Sequence, residues 1–175
     1  SQRAEARASA SATASPTPAG PYVWKEIPEP ILAPEAQAQA GFAEAELAAK
    51  YFVELQYYVA QTNDLATWEQ VVSSDSAYGK NVAQKSENRR KHRVRASYEK
   101  VQVDAVKALQ GSEDNSVFKV LCEVSILAES AVNENGEIVE SYGDSNYYIV
   151  AFVRFSEGSW TFLEGDSFDE IPEGF

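Results

Sequence analysis

The residues best suited to chemistry in this chain lie in one short basic stretch, Lys85-Ser-Glu-Asn-Arg-Arg-Lys-His-Arg-Val-Arg95. This stretch contains 6 of the 15 basic residues. Guanidinium groups bind phosphate and carboxylate through paired hydrogen bonds. One hypothesis is therefore an anion site or a contact for an acidic partner, formed by Arg89, Arg90, Arg93 and Arg95. The alternative is that these cations end a helix, where they interact with its dipole and with acidic groups of the same chain.

The single histidine, His92, belongs to the same stretch. A histidine that acts as a general base needs a position in a pocket and a carboxylate that orients its ring. The neighbouring sequence indicates neither, so we interpret His92 as a solvated residue of a charged turn and assign no catalytic residue. The sequence also has no glycine-rich phosphate loop, nucleophile elbow or metal-binding His-Glu motif. We predict no metal and no cofactor.

The negative charge is concentrated in the C-terminal part of the chain. Residues 1 to 111 contain 13 basic and 13 acidic residues, whereas residues 112 to 175 contain 2 basic and 14 acidic ones, which accounts for the net charge of -12. Such a surface repels nucleic acid and anionic lipid. No run of residues approaches the roughly 20 apolar positions that a membrane span requires. We therefore expect neither nucleic acid nor a direct membrane contact.

The chain divides into four segments by composition. Residues 1 to 20 are rich in Ala, Ser and Pro and predict a flexible tether. Residues 21 to 40 predict an extended arm that packs on the domain through its apolar residues, although continued disorder is an alternative. Residues 41 to 165 form the domain itself, and residues 166 to 175 predict an acidic, solvated tail.

The first part of the domain shows helical periodicity. From Gly41 to about Thr62, apolar positions recur at three-and-four spacing, which predicts a long amphipathic helix. Asn63-Asp64 predicts a turn and an N-cap for a second, short helix. Ser74-Asp75 predicts the cap of a third helix, which runs toward residue 90.

After residue 94 the apolar period changes to two, which is typical of strands. Residues 98 to 109, 117 to 128, 138 to 142, 146 to 155 and 160 to 163 read as antiparallel strands, with a hairpin turn at Asn133-Glu-Asn-Gly-Glu137. The 146 to 155 strand is apolar on both faces. It therefore requires helices on one face and another layer, a tail or a second subunit on the other.

Helices followed by long antiparallel strands resemble the nuclear-transport-factor-2-like (SnoaL-like) α+β cone. The segment that carries the resemblance is Ala48-Ala-Lys-Tyr-Phe-Val-Glu-Leu-Gln-Tyr-Tyr-Val-Ala-Gln-Thr-Asn-Asp64, followed by Leu-Ala-Thr-Trp-Glu-Gln-Val71. With its Ser/Ala/Pro-rich tether, the chain is also similar to uncharacterised actinobacterial lipoproteins of this fold. That resemblance implies an extracytoplasmic domain, secreted or held at the cell membrane through a lipidated cysteine upstream.

The resemblance further implies a pocket between the helices and the concave face of the sheet. We assign to it, as candidate ligand contacts, Tyr51, Phe52, Tyr98, Cys122, Tyr148 and Arg154. The residues themselves also allow structural interpretations. Cys122 reads as a small buried hydrophobe, with a redox role as the alternative, and Arg154 reads as a strand residue paired with a carboxylate, for which Glu123 is the nearest candidate.

Three functions remain open at this point. The first is a non-enzymatic accessory domain that binds an unknown protein or small molecule. The second is a SnoaL-like pocket enzyme such as a cyclase, isomerase or hydrolase. The third is a structural homodimer that packs through the second apolar face of the sheet.

Overall fold

The computed structural model describes residues 21 to 175, and the predicted tether, residues 1 to 20, lies outside the described residues. A short 3-10 turn, Pro34–Gln37, precedes three helices: α1 (Phe42–Thr62), α2 (Ala66–Val71) and α3 (Ala77–Lys91). Five strands follow: β1 (Val94–Ser97), β2 (Lys100–Gln110), β3 (Val117–Asn133), β4 (Ile138–Ser156) and β5 (Ser159–Phe168). The order of helices before strands confirms the predicted α+β class.

The strands form one antiparallel sheet in which β3 and β4 are central. β1 and β2 both pair with β3, end to end, while β4 pairs with β3 on one side and β5 on the other. β1 was not predicted, because it begins inside the basic stretch and its four residues are too few to show a period.

Three rows of the sheet change direction at the same level, namely β1 with β2, β3, and β4. Tyr98 and Glu99 interrupt the line of β1 and β2, Ala128 in β3 has a positive φ of 50°, and Gly143 in β4 has a φ of 81°. The carboxylate of Asp144 accepts a hydrogen bond from the backbone N–H of Ala128 at 2.8 Å, which satisfies a donor released from the ladder. The sheet therefore curls around the helices instead of lying flat.

The main core lies between α1 and the concave face of the sheet. The apolar residues that alternate along one face of β3, namely Phe118, Val120, Cys122, Val124 and Ile126, are buried there, as are Ile149, Ala151 and Val153 of β4. A smaller cluster forms between the helices around Leu55, Val59, Leu65, Trp68 and Val82. These positions confirm the helix and strand periods that the sequence shows.

The helix caps differ in detail from the prediction. Asn63 ends α1 in the left-handed conformation, with a φ of 56°, and Asp64 accepts the backbone N–H of Ala66 at 3.0 Å. The cap of α3 is Ser76, not Ser74 or Asp75, and its hydroxyl accepts from the backbone N–H of Gly79 at 2.9 Å. Glu164 of β5 completes this cap, because its carboxylate accepts hydrogen bonds from the N–H groups of Ala77 and Tyr78.

The arm, residues 21 to 40, is extended as far as Ala33 and then forms the 3-10 turn Pro34–Gln37. Its extended part lies along α1 and the β1–β2 edge. Trp24 stacks on the guanidinium of Arg95, whose Cζ lies 4.6 Å from the centroid of the ring. Leu32 reaches the main core, and the indole N–H of Trp160 donates to the carbonyl of Ala36 at 2.6 Å in a buried position. These contacts hold the arm on the helix side of the molecule.

The outer face of the sheet is covered from within the chain. Leu121 and Val150 are cross-strand partners on this face, and they are 1% and 4% exposed although no helix packs there. The C-terminal residues return over it, and the ammonium of Lys119 lies 4.6 Å from the ring centroid of Phe175. The prediction of a solvated tail from residue 166 is corrected accordingly, since β5 extends to Phe168 and the chain end packs on the sheet.

Candidate functional site

The bend in the sheet opens a cavity of about 210 Å³ between α1, α3 and the strands. The helices contribute Gln56, Tyr57, Ala60, Val82, Lys85 and Arg89 to its lining, and the strands contribute Tyr98, Ile126, Glu129, Ser145 and Tyr147. The strand residues come from the positions where the sheet changes direction. The cavity therefore lies at the level of the bend.

Two cations of α3 face this cavity. Lys85 and Arg89 are four residues apart and therefore lie on the same side of the helix. Their counter-charge among the lining residues is the single carboxylate of Glu129. The cavity thus combines two positive charges and one negative charge with three tyrosines, one amide and one hydroxyl.

Asn63 fixes Arg89 in place. The Oδ1 atom of Asn63 accepts a hydrogen bond from Nε of Arg89 at 2.9 Å, and its Nδ2 atom donates to the carbonyl of Val94 at 2.9 Å. Asn63 itself is buried. Because Nε is occupied by this contact, the terminal nitrogens of Arg89 are the ones available toward the cavity.

Tyr57 and Tyr147 close the inner wall. Their hydroxyl groups form a hydrogen bond that joins α1 to β4. Burial raises the pKa of Tyr147 to about 12, so this phenol stays neutral at physiological pH. Tyr98 packs edge-on against Tyr57 with ring centroids 5.4 Å apart, and burial together with the nearby Glu129 raises its pKa as well.

Glu129 is the acid whose protonation is most sensitive to this environment. Burial raises the pKa of its carboxyl above the ordinary value, although Lys85, Arg89 and Tyr98 act in the opposite direction. Burial also lowers the pKa of the Arg89 guanidinium, while Tyr98 and Glu129 favour its charged form. The Glu129 carboxyl, with its raised pKa and with Lys85, Arg89 and the phenol of Tyr98 nearby, can bind a polar group or exchange a proton with such a group.

The structure brings only one of the six candidate pocket residues to this cavity, namely Tyr98. Phe52 and Cys122 are buried in the main core, at 1% and 0% exposure, and Tyr51 packs at its border. Burial raises the pKa of the Cys122 thiol to about 12, which disfavours the reactive thiolate. Tyr148 lies on the outer face of β4, so its neighbour Tyr147 takes the position in the cavity.

Arg154 also lies away from the cavity. Its guanidinium contacts Asp114 of the β2–β3 loop at 3.3 Å, and both side chains are nearly half exposed. Glu123, the partner expected from the sequence, instead accepts a hydrogen bond from Asn146 at 3.3 Å. The pairing with Glu123 is therefore wrong, because Glu123 lies opposite Tyr148 in the register, and Arg154 opposite Val117.

The four arginines of the basic stretch separate into two places. Arg89 lines the cavity, whereas Arg90, Arg93 and Arg95 border a second, shallower groove of about 310 Å³ beneath Trp24. Each of these three has an intramolecular partner: Arg90 donates to the carbonyl of Asn63 at 2.6 Å, Arg93 contacts Glu134 at 3.2 Å, and Arg95 lies under Trp24. His92 caps α3 and is exposed, with Nδ1 2.8 Å from the carbonyl of Asn88.

Sequence reasoning missed most of the cavity. Lys85 belongs to the basic stretch but was not among the four arginines proposed as a site, and Glu129 carries no local signal, because a glutamate in a strand is a common surface residue. The positive φ of Ala128, which accompanies the turn of Glu129 toward the helices, is also unusual for a residue with a Cβ and could not be predicted from an alanine. Within residues 21 to 175, no group of three His, Cys, Asp or Glu side chains could hold a metal ion.

Comparison with known proteins finds similar structures but no match by sequence. No protein-family model and no curated protein matches the chain. The crystal structure of the intermembrane space region of the chloroplast protein ARC6 is similar over 71% of this chain and 97% of that one, with a TM-score of 0.55 and 11% identity. The likeness establishes the fold.

A second solved structure is an uncharacterized protein with a cystatin-like fold from Caulobacter vibrioides. It is similar over 74% of this chain and 90% of the other, with a TM-score of 0.42 and 10% identity. The described helices and strands, together with the ARC6 likeness, give the predicted α+β architecture of helices on a curled antiparallel sheet. No helix in the described part of the chain is long and apolar enough to cross a membrane.

Proposed function

We propose that this domain is a non-enzymatic binding module whose cavity takes a small polar molecule with one anionic group. The observation that carries the proposal is the pair Lys85 and Arg89, which face the cavity from one side of α3 with Glu129 as their counter-charge. Arg89 is held by Asn63, so its guanidinium is oriented before a ligand enters. The remainder of the lining suits the body of such a ligand, since it combines phenol rings with Ile126 and Val82.

Glu129 adds selectivity to this site. Burial raises the pKa of its carboxyl, and a carboxylic acid in its neutral form donates a hydrogen bond instead of repelling an anion. Binding of an anion near Lys85 and Arg89 therefore favours uptake of a proton by Glu129. The affinity for an anion should fall as the pH rises and Glu129 ionises.

Native mass spectrometry of the protein, purified without refolding, is the first test, because it reports a retained small molecule. Benzoate and its neutral isostere benzamide then serve as probes in calorimetric titrations. Benzoate should bind at least about tenfold more tightly than benzamide, since only the carboxylate interacts with the two cations. Equal affinities, or no binding of either probe and no retained molecule, would contradict the proposal.

A matched pair of variants assigns the preference to the cavity. Lys85→Gln should abolish most of the difference between benzoate and benzamide, because it removes one of the two cations. Lys91→Gln makes the same charge change at the exposed end of α3 and should leave the difference intact. If both variants have the same effect, the preference comes from overall charge and not from the cavity.

The alternative function is a SnoaL-like enzyme, and the contact of Glu129 with Tyr98 favours it. A carboxyl with a raised pKa beside a phenol can act as a general acid or base. The test is to incubate a molecule recovered from the native protein with wild type and with Glu129→Gln, and to follow its mass and structure. Conversion that the variant loses supports an enzyme, whereas an unchanged molecule supports a binding module.

The location of the protein is a further part of the proposal. The similar ARC6 structure is an intermembrane space region, and this domain follows an Ala/Ser/Pro-rich segment that we interpret as a tether. We place the domain outside the cytoplasm, in a secreted or lipid-anchored bacterial protein. Fractionation of cells that express the natural full-length protein tests this location. Accumulation of a larger, unprocessed precursor under globomycin, which inhibits the lipoprotein signal peptidase, tests the anchor.

The third proposed function, a structural homodimer, has less support than the other two. It requires an apolar outer sheet face, but Leu121 and Val150 are covered within the chain and the C-terminal Phe175 lies on Lys119. The arm, which packs on the helix side, does not supply this cover. A second subunit would need to displace the C-terminal residues or bind elsewhere.

A further inference from the structure

The first half of β4 has an edge without a partner strand. β5 pairs with β4 from Ser156 to Tyr148, and Tyr148 opposite Phe168 is the last pair. No strand among residues 21 to 175 continues along that edge toward Ile138. On its other side, the same half of β4 pairs with β3 as far as Ile138 opposite Val132. Residues 138 to 147 therefore present backbone N–H and C=O groups to solvent in the geometry of a sheet.

The side chains along this half of β4 are unusually apolar for an exposed strand. Ile138, Val139 and Tyr142 are 64%, 54% and 57% exposed. They lie within five positions of one another, whereas the other exposed large apolar residues of the strands, such as Leu127 and Val106, are single. A strand edge with adjacent exposed apolar side chains is a template for a further strand.

The charge of this edge is uniformly acidic. Glu134, Glu137, Glu140 and Asp144 lie in or next to it, and no basic residue occurs between Lys119 and Arg154. Arg93 compensates Glu134 in part, at 3.2 Å. Among residues 21 to 175, Glu137, Glu140 and Asp144 accept hydrogen bonds only from neutral groups, namely Asn133, Tyr142 and the backbone of Ala128.

This charge distinguishes between two possible occupants. A second copy of the chain, paired edge to edge, would bring acidic side chains against acidic ones, which is destabilising across strands. An extended segment with basic side chains would instead form favourable cross-strand pairs with Glu140 and its neighbours. The edge thus resists self-association while it remains open to a partner of opposite charge.

We propose that the free edge of β4 binds an extended peptide segment of a partner protein in which apolar and basic residues alternate. The segment adds to the sheet as a strand antiparallel to β4, in line with β5 and beyond its end. Backbone hydrogen bonds to residues 138 to 147 supply the affinity. Apolar contacts with Ile138 and Tyr142 and charge pairing with Glu140 give the preference for a segment of apolar and basic residues. The edge between Ile138 and Asp144 lies outside the cavity, whereas Ser145 and Tyr147, at the end of the segment next to β5, also line it.

The test uses a capped ten-residue peptide of alternating Val and Lys, titrated by calorimetry into the full chain at physiological salt. Two further peptides carry N-methyl groups, either on the valines alone or on all residues. Alternate N–H groups of a strand point to opposite edges, so the first methylated peptide keeps one edge that can pair, and the second keeps none. We expect the fully methylated peptide to bind at least about tenfold more weakly than the parent. Equal binding of all three peptides would overturn the proposal, because charge attraction alone does not require N–H groups.

A charge-reversal variant and amide hydrogen exchange test where on the protein the peptide binds. Glu140→Lys should weaken binding of the parent peptide by about tenfold, whereas Glu113→Lys, the same change in the exposed β2–β3 loop, should have less than about a twofold effect. Bound peptide should slow amide exchange of residues 138 to 147. Slowed exchange only elsewhere, or a dimer of the free chain whose interface protects this same edge, would overturn the assignment.

Discussion

The hydroxyl groups of Tyr57 in α1 and Tyr147 in β4, 90 residues apart in the chain, form a hydrogen bond at the inner wall of the cavity. The bond joins α1, the longest helix, to β4, the longest strand, at the level where the sheet bends. Elsewhere along α1, apolar packing makes this connection. At the cavity, the hydrogen bond between these two phenols connects α1 to β4 instead. The wall is therefore polar and still held in a fixed position.

Tyr147→Phe should lower the free energy of unfolding by about 1 kcal/mol, because it leaves the hydroxyl of the buried Tyr57 without this partner. Urea denaturation measures the change. Tyr57→Phe should cost a similar amount, and the double variant should cost less than the sum of the two. Tyr142→Phe, which removes an exposed hydroxyl that donates to Glu140, is the control and should change stability by less than about 0.5 kcal/mol. Additive losses for Tyr57 and Tyr147 would contradict a direct bond.

Trp160→Phe should loosen the arm as well as destabilise the domain. It removes the buried hydrogen bond to the carbonyl of Ala36 and part of a large side chain, which we expect to cost about 2 kcal/mol. Trypsin should then cleave faster after Lys25, in the arm. Trp68→Phe is the control, because its indole N–H donates to Gly79, away from the arm. Equal acceleration of cleavage in both variants would show that global unfolding, not release of the arm, exposes Lys25.

Glu164→Gln should weaken the junction of α3 with β5, and only where the glutamate is ionised. Burial opposes ionisation of Glu164, but hydrogen bonds from Tyr78, Gly165, Ala77 and Ser76 lower its pKa overall. A lowered pKa in the folded state means that the stabilisation is present above the ordinary pKa of 4.5 and is lost as the pH falls through the folded value. The wild type should exceed the variant by about 1 kcal/mol at pH 7, as for other helix caps, and by progressively less below pH 4.5. A difference that is constant from pH 7 to pH 3 would contradict this role.

Glu129→Gln should show the opposite dependence on pH. The raised pKa of Glu129 means that the folded state holds its proton more tightly than the unfolded state does. The wild type therefore loses stability relative to the variant as the pH rises from 4.5 through the folded pKa, and the difference is constant above it. Chemical denaturation of both proteins at a series of pH values measures this. A stability difference that grows in favour of the wild type with rising pH would show that pairing with Lys85 and Arg89 outweighs burial.

Deletion of residues 169 to 175 removes Phe175 from Lys119, which lies two strand positions from the buried Leu121 on the outer face of the sheet. If the C-terminal residues shield this face, the truncated chain should self-associate in sedimentation experiments at concentrations where the full chain does not. Asp169→Asn with Glu170→Gln keeps the segment but removes two of its charges, and it should not promote association. If the charge variant associates as strongly as the deletion, repulsion and not cover keeps the chain apart.

Much of the architecture could be predicted from the sequence. The spacing of Ala45, Ala48, Phe52 and Leu55 predicted α1, and the alternation from Phe118 to Ile126 predicted both β3 and its inward face. Such patterns are local, since a helix or strand must place its apolar side chains on one side in order to bury them. The turn at Asn133 to Glu137 was predictable for the same reason, because Gly136 accommodates its φ of 80°.

The cavity was decided by tertiary structure alone. Tyr147 and Tyr148 are equivalent in composition and neighbours in sequence, and only the register of β4 determines which of them faces Tyr57. A shift of one residue in a strand exchanges its two faces. The predicted strands ended at residue 128 and broke between residues 142 and 146, whereas β3 and β4 continue through Ala128 and Gly143 with a bend. Lys85, Arg89 and Glu129 meet because β3 bends at Ala128 and brings Glu129 to the cavity that α3 borders. The sequence by itself thus determined the elements and their buried faces, whereas the bend and the register determined which polar groups share a site.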